Sequence, residues 1–77
     1  MQIRVILLGV LRDKLVVEKR GRTEINVEVG RTLKGIAETL GLPDGTTCSV
    51  NGHFERDLEM AVCENDEITF FRPGAGG

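Results

Sequence analysis

The sequence predicts an α+β domain in which a mixed sheet of four or five strands packs on one main helix. Three observations carry this expectation. Ile25, Val27 and Val29 alternate with Glu24, Asn26 and Glu28, the period-two pattern of a half-buried strand. Leu33, Ile36, Ala37 and Leu40 recur at i, i+3, i+4 and i+7, the stripe of one amphipathic helix. Apolar strand-like runs stand near both ends, at residues 2–10 and 67–71, so the first and last strands are expected side by side and parallel at the sheet centre.

Each element follows from its residues. In 2–10, Ile3, Val5 and Leu7 share one face and Arg4, Ile6 and Leu8 the other. Both faces are largely apolar, which suits a central strand or one whose outer face meets a partner. Residues 11–22 hold Arg12, Lys14, Lys19, Arg20 and Arg22, half of the basic side chains. This stretch reads as a solvated basic loop with a helical turn or two, or as a docking patch for an acidic surface. Thr23–Val29 is the clean strand and is expected to pair antiparallel with the first. Thr32 is the expected N-cap of a helix of about nine residues, with Gly41 at C′ and Pro43 just beyond. Gly35 inside the helix costs roughly 1 kcal/mol against Ala, and close approach to the sheet is its expected reason.

Thr47 to Asn51 forms a short strand with Cys48 and Val50 on one face. Asn51-Gly52 is a tight-turn dipeptide, and 53–58 pairs back weakly. Phe54 is expected in the core or at its rim. Asn65 tolerates a left-handed turn before the last strand. There Ile68 and Phe70 face the core, and Phe71 faces out with Ile6 and Leu8. Unless a helix or loop covers it, that outward apolar set is a protein-docking surface.

Composition narrows the function. At 77 residues the chain forms one domain that buries only about 60–65% of its unfolded surface, too small for a deep active site beside a core. Net charge is −2, which argues against nucleic-acid binding. The longest apolar run, Val5 to Leu8, is far too short to span a membrane, and no secretory signal is read, so the expected compartment is the cytoplasm. Cys48 and Cys63 lack metal-ligand spacing, and with one histidine no metal site is expected. Both cysteines are expected to be reduced, small and mostly buried. Cys48 with His53 as a nucleophile pair lacks any third, orienting group.

The chain closes on Arg72-Pro73-Gly74-Ala75-Gly76-Gly77. Proline ends the strand, and nothing from Gly74 onward has a side chain that packs. The expected organisation is a body of residues 1–72 and a thin flexible arm of 73–77. Arg72 to Gly77, fully extended, would reach roughly 20 Å.

The order, the size and this arm together resemble the β-grasp, ubiquitin-like sulfur carriers of the MoaD/ThiS type. That family includes the molybdopterin synthase small subunit and the thiamine-pathway sulfur carrier. The resemblance rests on the first strand with Leu11-Arg12-Asp13, on Val50-Asn51-Gly52, on Asn65-Asp66-Glu67-Ile68, and on Pro73 with Gly76-Gly77. The segment after the first strand is nearer to the molybdopterin synthase small subunit. The family often has Gly-Asp-Glu before its last strand and two prolines in its tail, where this chain has Asn65-Asp66-Glu67 and Arg72-Pro73-Gly74-Ala75.

The resemblance implies a carrier rather than an enzyme. An E1-like adenylating enzyme would convert the Gly77 carboxylate to an AMP-adenylate, and sulfur would replace AMP to leave a thiocarboxylate. The acceptor would be the molybdopterin synthase large subunit or another sulfur-accepting enzyme, and no cofactor is held permanently. Gly76 and Gly77 are the implied reacting end. Ile6, Leu8, Phe71, Arg72, Pro73, Gly74 and Ala75 are the expected partner contacts. The alternatives are a ubiquitin-like modifier joined to lysines through Gly77, a thiamine-pathway carrier, and an interaction domain with an incidental glycine tail.

Overall fold

The structure is a computed structural model that describes residues 1–14 and 21–72. Five strands, β1 (Gln2–Leu7), β2 (Arg22–Asn26), β3 (Thr47–Val50), β4 (His53–Glu55) and β5 (Glu67–Phe71), form one sheet in the order β2-β1-β5-β3-β4. β1 and β5 run parallel, and the other pairs are antiparallel. One helix, α1 (Leu33–Thr39), lies on one face. This is the β-grasp arrangement, with the first and last strands adjacent as the sequence predicts.

The core is built from the alternating inner positions. Ile3, Val5 and Leu7 of β1, Ile68 and Phe70 of β5, and Cys48 of β3 are buried against Leu33 and Ile36 of α1. The helix ends as its sequence predicts. The Thr32 hydroxyl accepts from the Gly35 N–H at 3.1 Å. Gly41, at φ +70°, lets its own N–H reach the Glu38 carbonyl and the Leu42 N–H reach the Ala37 carbonyl, closing a Schellman motif. The first helical N–H groups, those of Leu33 and Lys34, donate to the carbonyls of Met60 and Leu58. The irregular 57–62 stretch thereby ties the helix start to the body.

Several expectations are corrected. β1 stops at Leu7, because Gly9 takes φ +58° and a 3-10 helix, Gly9–Lys14, follows. That turn drops Leu11 into the core. β2 ends at Asn26, and Val29 is not on a buried face: it sits in the turn before Gly30 and is 88% exposed. The helix has seven residues rather than nine. A Cβ on Gly35 would meet the Arg31 side chain and the Thr32 hydroxyl at 3.3–3.5 Å, so the neighbouring turn, not the sheet, crowds this position. Cys48 is buried but Cys63 is exposed in the turn before β5.

Of the basic stretch, Arg22 is exposed on β2. The side chains of Arg12 and Lys14, and all of Lys19 and Arg20, lie outside the described residues. So does the arm, Pro73 to Gly77. Among the described residues no helix is long and apolar enough to cross a membrane.

Candidate functional site

The face of the sheet opposite the helix is the candidate site. Strand register decides which side chains share it. Ile6 stands beside Thr69, Thr69 beside Ser49, and Ser49 beside Phe54, one row across four strands. In the next row Phe71 stands beside Thr47, and Leu8 extends β1 by donating its N–H to the Phe70 carbonyl at 3.0 Å. Ile6, Leu8 and Phe71 therefore lie on one outer face, with Ile6 and Phe71 half-buried and Leu8 46% exposed. No described helix or loop covers this face.

Phe54 belongs to the same surface and is neither core nor rim. It is 57% exposed, and its ring meets that of Phe71 at 6.2 Å between centroids, tilted by 57°. The Arg56 guanidinium carbon lies 5.8 Å from the Phe54 centroid, within cation–π range. The signal for Phe54 was present in the sequence. Asn51 (φ +52°) and Gly52 (φ +85°) make a two-residue hairpin turn, which sets Val50 opposite His53 and Ser49 opposite Phe54. With Cys48 and Val50 facing in, Ser49 and hence Phe54 must face out.

Around these apolar residues the face is polar. Small hydroxyls, Thr47, Ser49 and Thr69, fill its centre between the aromatic pair and Ile6. Beyond Ile6 lies a charged row: Glu24, Arg4 and Glu67 side by side, with Arg4 Nε 3.7 Å from the Glu67 carboxylate. Both partners are substantially exposed, so this ion pair adds little to stability.

Arg72 is exposed and its guanidinium lies beside Gly45. Pro73, Gly74, Ala75, Gly76 and Gly77 lie outside the described residues, so the implied reacting end is not placed. The Cys48–His53 pair is not assembled. Cys48 faces the core opposite Glu55 while His53 is exposed on the edge strand. Burial, with a smaller contribution from the Glu55 charge, pushes the Cys48 thiol up and keeps it a neutral core residue.

Known structures share this fold. The structure of SAMP1 from Haloferax volcanii is 19% identical, with the whole of both chains covered and a TM-score of 0.74. A second structure of the H. volcanii small archaeal modifier protein 1 is 18% identical over 94% of this chain and 97% of that one, with a TM-score of 0.72. A chain of the complex of subunits 1 and 2 of the molybdopterin-converting factor from Helicobacter pylori 26695 is 20% identical, with both chains fully covered and a TM-score of 0.65. No curated protein matches significantly in sequence. The model of the ThiS family matches residues 5–77, from within β1 through the terminal glycine pair, and the chain belongs to the ThiS family.

Proposed function

We propose that this protein is a sulfur carrier whose reacting group is the Gly77 carboxylate. The observation that carries the reading is the extent of the family match, which includes Gly76 and Gly77 as well as the folded body. A carboxylate is a poor electrophile, so ATP must first be spent on it. An E1-like enzyme would join the Gly77 carboxylate to AMP and release pyrophosphate. Sulfide would then displace AMP and leave a thiocarboxylate. The glycine pair suits a narrow channel because it brings no Cβ to clash. The outer face of Ile6, Leu8, Phe54 and Phe71 would dock on the activating enzyme and then on the acceptor, while Arg72 and the arm lead into the active site. The structural likeness to a chain of the molybdopterin-converting factor complex supports molybdopterin synthesis as the pathway and its large subunit as the acceptor.

A second reading has its own observation. The likeness to a small archaeal modifier protein supports conjugation to lysines through Gly77. Intact-mass analysis of protein from its own cell separates the two. The carrier gains only the mass difference between sulfur and oxygen, whereas the modifier forms higher-mass conjugates with a Gly-Gly remnant.

The decisive test changes the last residue. Deleting Gly77, or adding one residue after it, should abolish thiocarboxylation by the activating enzyme and leave the thermal melt unchanged. An added residue moves the carboxylate by up to about 3.5 Å. A misplacement of about 1 Å can already cost roughly a hundredfold in rate. An extended variant activated as fast as the parent would sink the proposal.

A further inference from the structure

We propose that β2 pairs edge to edge with β2 of a second copy of this chain, joining the two sheets across a twofold axis. The starting observation is the phase of the β2 backbone. Val27 exchanges bonds with Met1, its N–H donating to the Met1 carbonyl and its carbonyl accepting from the Met1 ammonium, both at 2.8 Å. Gly21 accepts from the Leu7 N–H at the other end. With antiparallel alternation, Thr23 and Ile25 also bond toward β1. The N–H and C=O groups of Arg22, Glu24 and Asn26 therefore point away from the sheet. Among the described residues no strand lies on that side, since β2 ends the sheet order.

This edge carries little of the usual protection. It has five residues against three in β4, the other edge strand, and it contains no proline. Its outward side chains do include charges, but of both signs, Arg22 and Glu24, followed by Glu28. On the helix side a groove of about 400 Å³ runs along the edge, apolar at Ile25, Val27, Ile36 and Leu40 and polar where Asn26, Glu28, Arg31 and Thr39 line it.

Self-pairing must set outward-bonding residues opposite one another, which leaves few antiparallel registers. One sets Glu24 against Glu24 of the copy and is repulsive. Another sets Arg22 against Glu24 and overlaps only residues 22–24. A third sets Asn26 against Asn26 and Glu24 against Glu28, and is again repulsive. The fourth brings residues 22–28 alongside one another, with full backbone pairing only between Glu24 and Asn26, because the Glu28 carbonyl already accepts from the Arg31 N–H at 3.1 Å. It sets Arg22 opposite Glu28 of the copy and Glu24 opposite Asn26, each twice by symmetry. Ile25 then meets Ile25 of the copy at the axis, on the helix side, where the two grooves join and cover each other. Opposite charges directly across a strand pair are favourable, and charge complementarity together with the longer overlap selects this register over the Arg22–Glu24 one. The resulting interface is isologous. It lies at the edge far from β4, so Phe54 and Phe71 stay open in both copies.

The test uses the full chain. Sedimentation velocity over roughly a hundredfold concentration range should show a monomer–dimer equilibrium. In a Cys63→Ser background, which removes the exposed native thiol, Ile25→Cys should form an oxidised dimer much faster than Thr23→Cys. Glu28→Arg should weaken the dimer about tenfold or more, and adding Arg22→Glu should restore it. These charge variants lie on exposed positions, so they keep the test valid if Ile25→Cys fails to fold. A parent that sediments as a monomer throughout, faster crosslinking at Thr23→Cys, or no rescue by the double charge swap would each overturn the proposal.

Discussion

The Asn51 carboxamide donates to the Asp66 carboxylate at 2.9 Å and joins two turns that are fifteen residues apart. Its oxygen accepts from the Glu67 N–H at 2.9 Å, while the other Asp66 oxygen accepts from the Cys63 N–H at 2.8 Å. The β3–β4 turn is thereby pinned to the start of β5. β5 carries Phe71 and leads to Arg72, so this junction fixes the strand that presents the candidate site.

Asn51 should matter through both its side chain and its backbone. Asn51→Gly keeps the positive φ and loses only the carboxamide bonds, and should lower stability by about 1–2 kcal/mol. Asn51→Ala adds the strain of φ +52° on a residue with a Cβ, about 1 kcal/mol more. Urea unfolding should rank the parent above Gly and Gly above Ala. Equal midpoints for the parent and Asn51→Gly would show that the junction stands without the side chain.

Phe54 and Phe71 are expected to act together at the docking face. Either residue changed to Ala should leave a cooperative thermal melt and weaken binding to the activating enzyme by more than about 1 kcal/mol. The double variant should lose less than the two singles combined, with a coupling of about 0.5–1.5 kcal/mol from the ring contact. Phe71→Ala that unfolds the domain would mean that Phe71 serves the core instead.

Two glycines, one inside α1 and one just past its end, should respond in opposite directions. Gly41 closes the helix at φ +70°, so Gly41→Ala should destabilise by about 1 kcal/mol. Gly35 is helical, and its nearest obstacle is the flexible Arg31 side chain. Gly35→Ala should therefore stabilise by up to about 1 kcal/mol. Thermal unfolding of the pair checks both signs.

The two thiols should be told apart by alkylation. The folded protein should take one adduct, at Cys63, because Cys48 is buried and its thiol is pushed up. The sign of the pH effect follows. The folded state holds the Cys48 proton more tightly than the unfolded chain does, so the contribution of Cys48 is complete below the ordinary thiol range. It is lost as pH rises from that range up through the raised value of the folded-state thiol. Cys48→Ala should show a shallower alkaline loss of stability than the parent. A second native-state adduct would place Cys48 within reach of solvent.

Local pattern was enough to read the helix, its Thr32 cap and Gly41 stop, the inner residues of β1 and β5, and the outward set of Ile6, Leu8 and Phe71. Each depends on periodicity or turn chemistry within a few residues, which sequence states directly. Tertiary structure decided what depends on residues far apart. Val29 looked inward by alternation, yet β2 had already run out of partner strand. Gly35 looked like a contact point with the sheet, yet Arg31 and Thr32 crowd it. Phe54 joined Phe71 because hairpin register and sheet order set β4 two strands away from β5 on the same face. The Asn51–Asp66 junction likewise required two turns from separate parts of the chain to meet. Periodicity fixes which way a side chain points along its own strand; only the pairing of strands fixes which side chain it will touch.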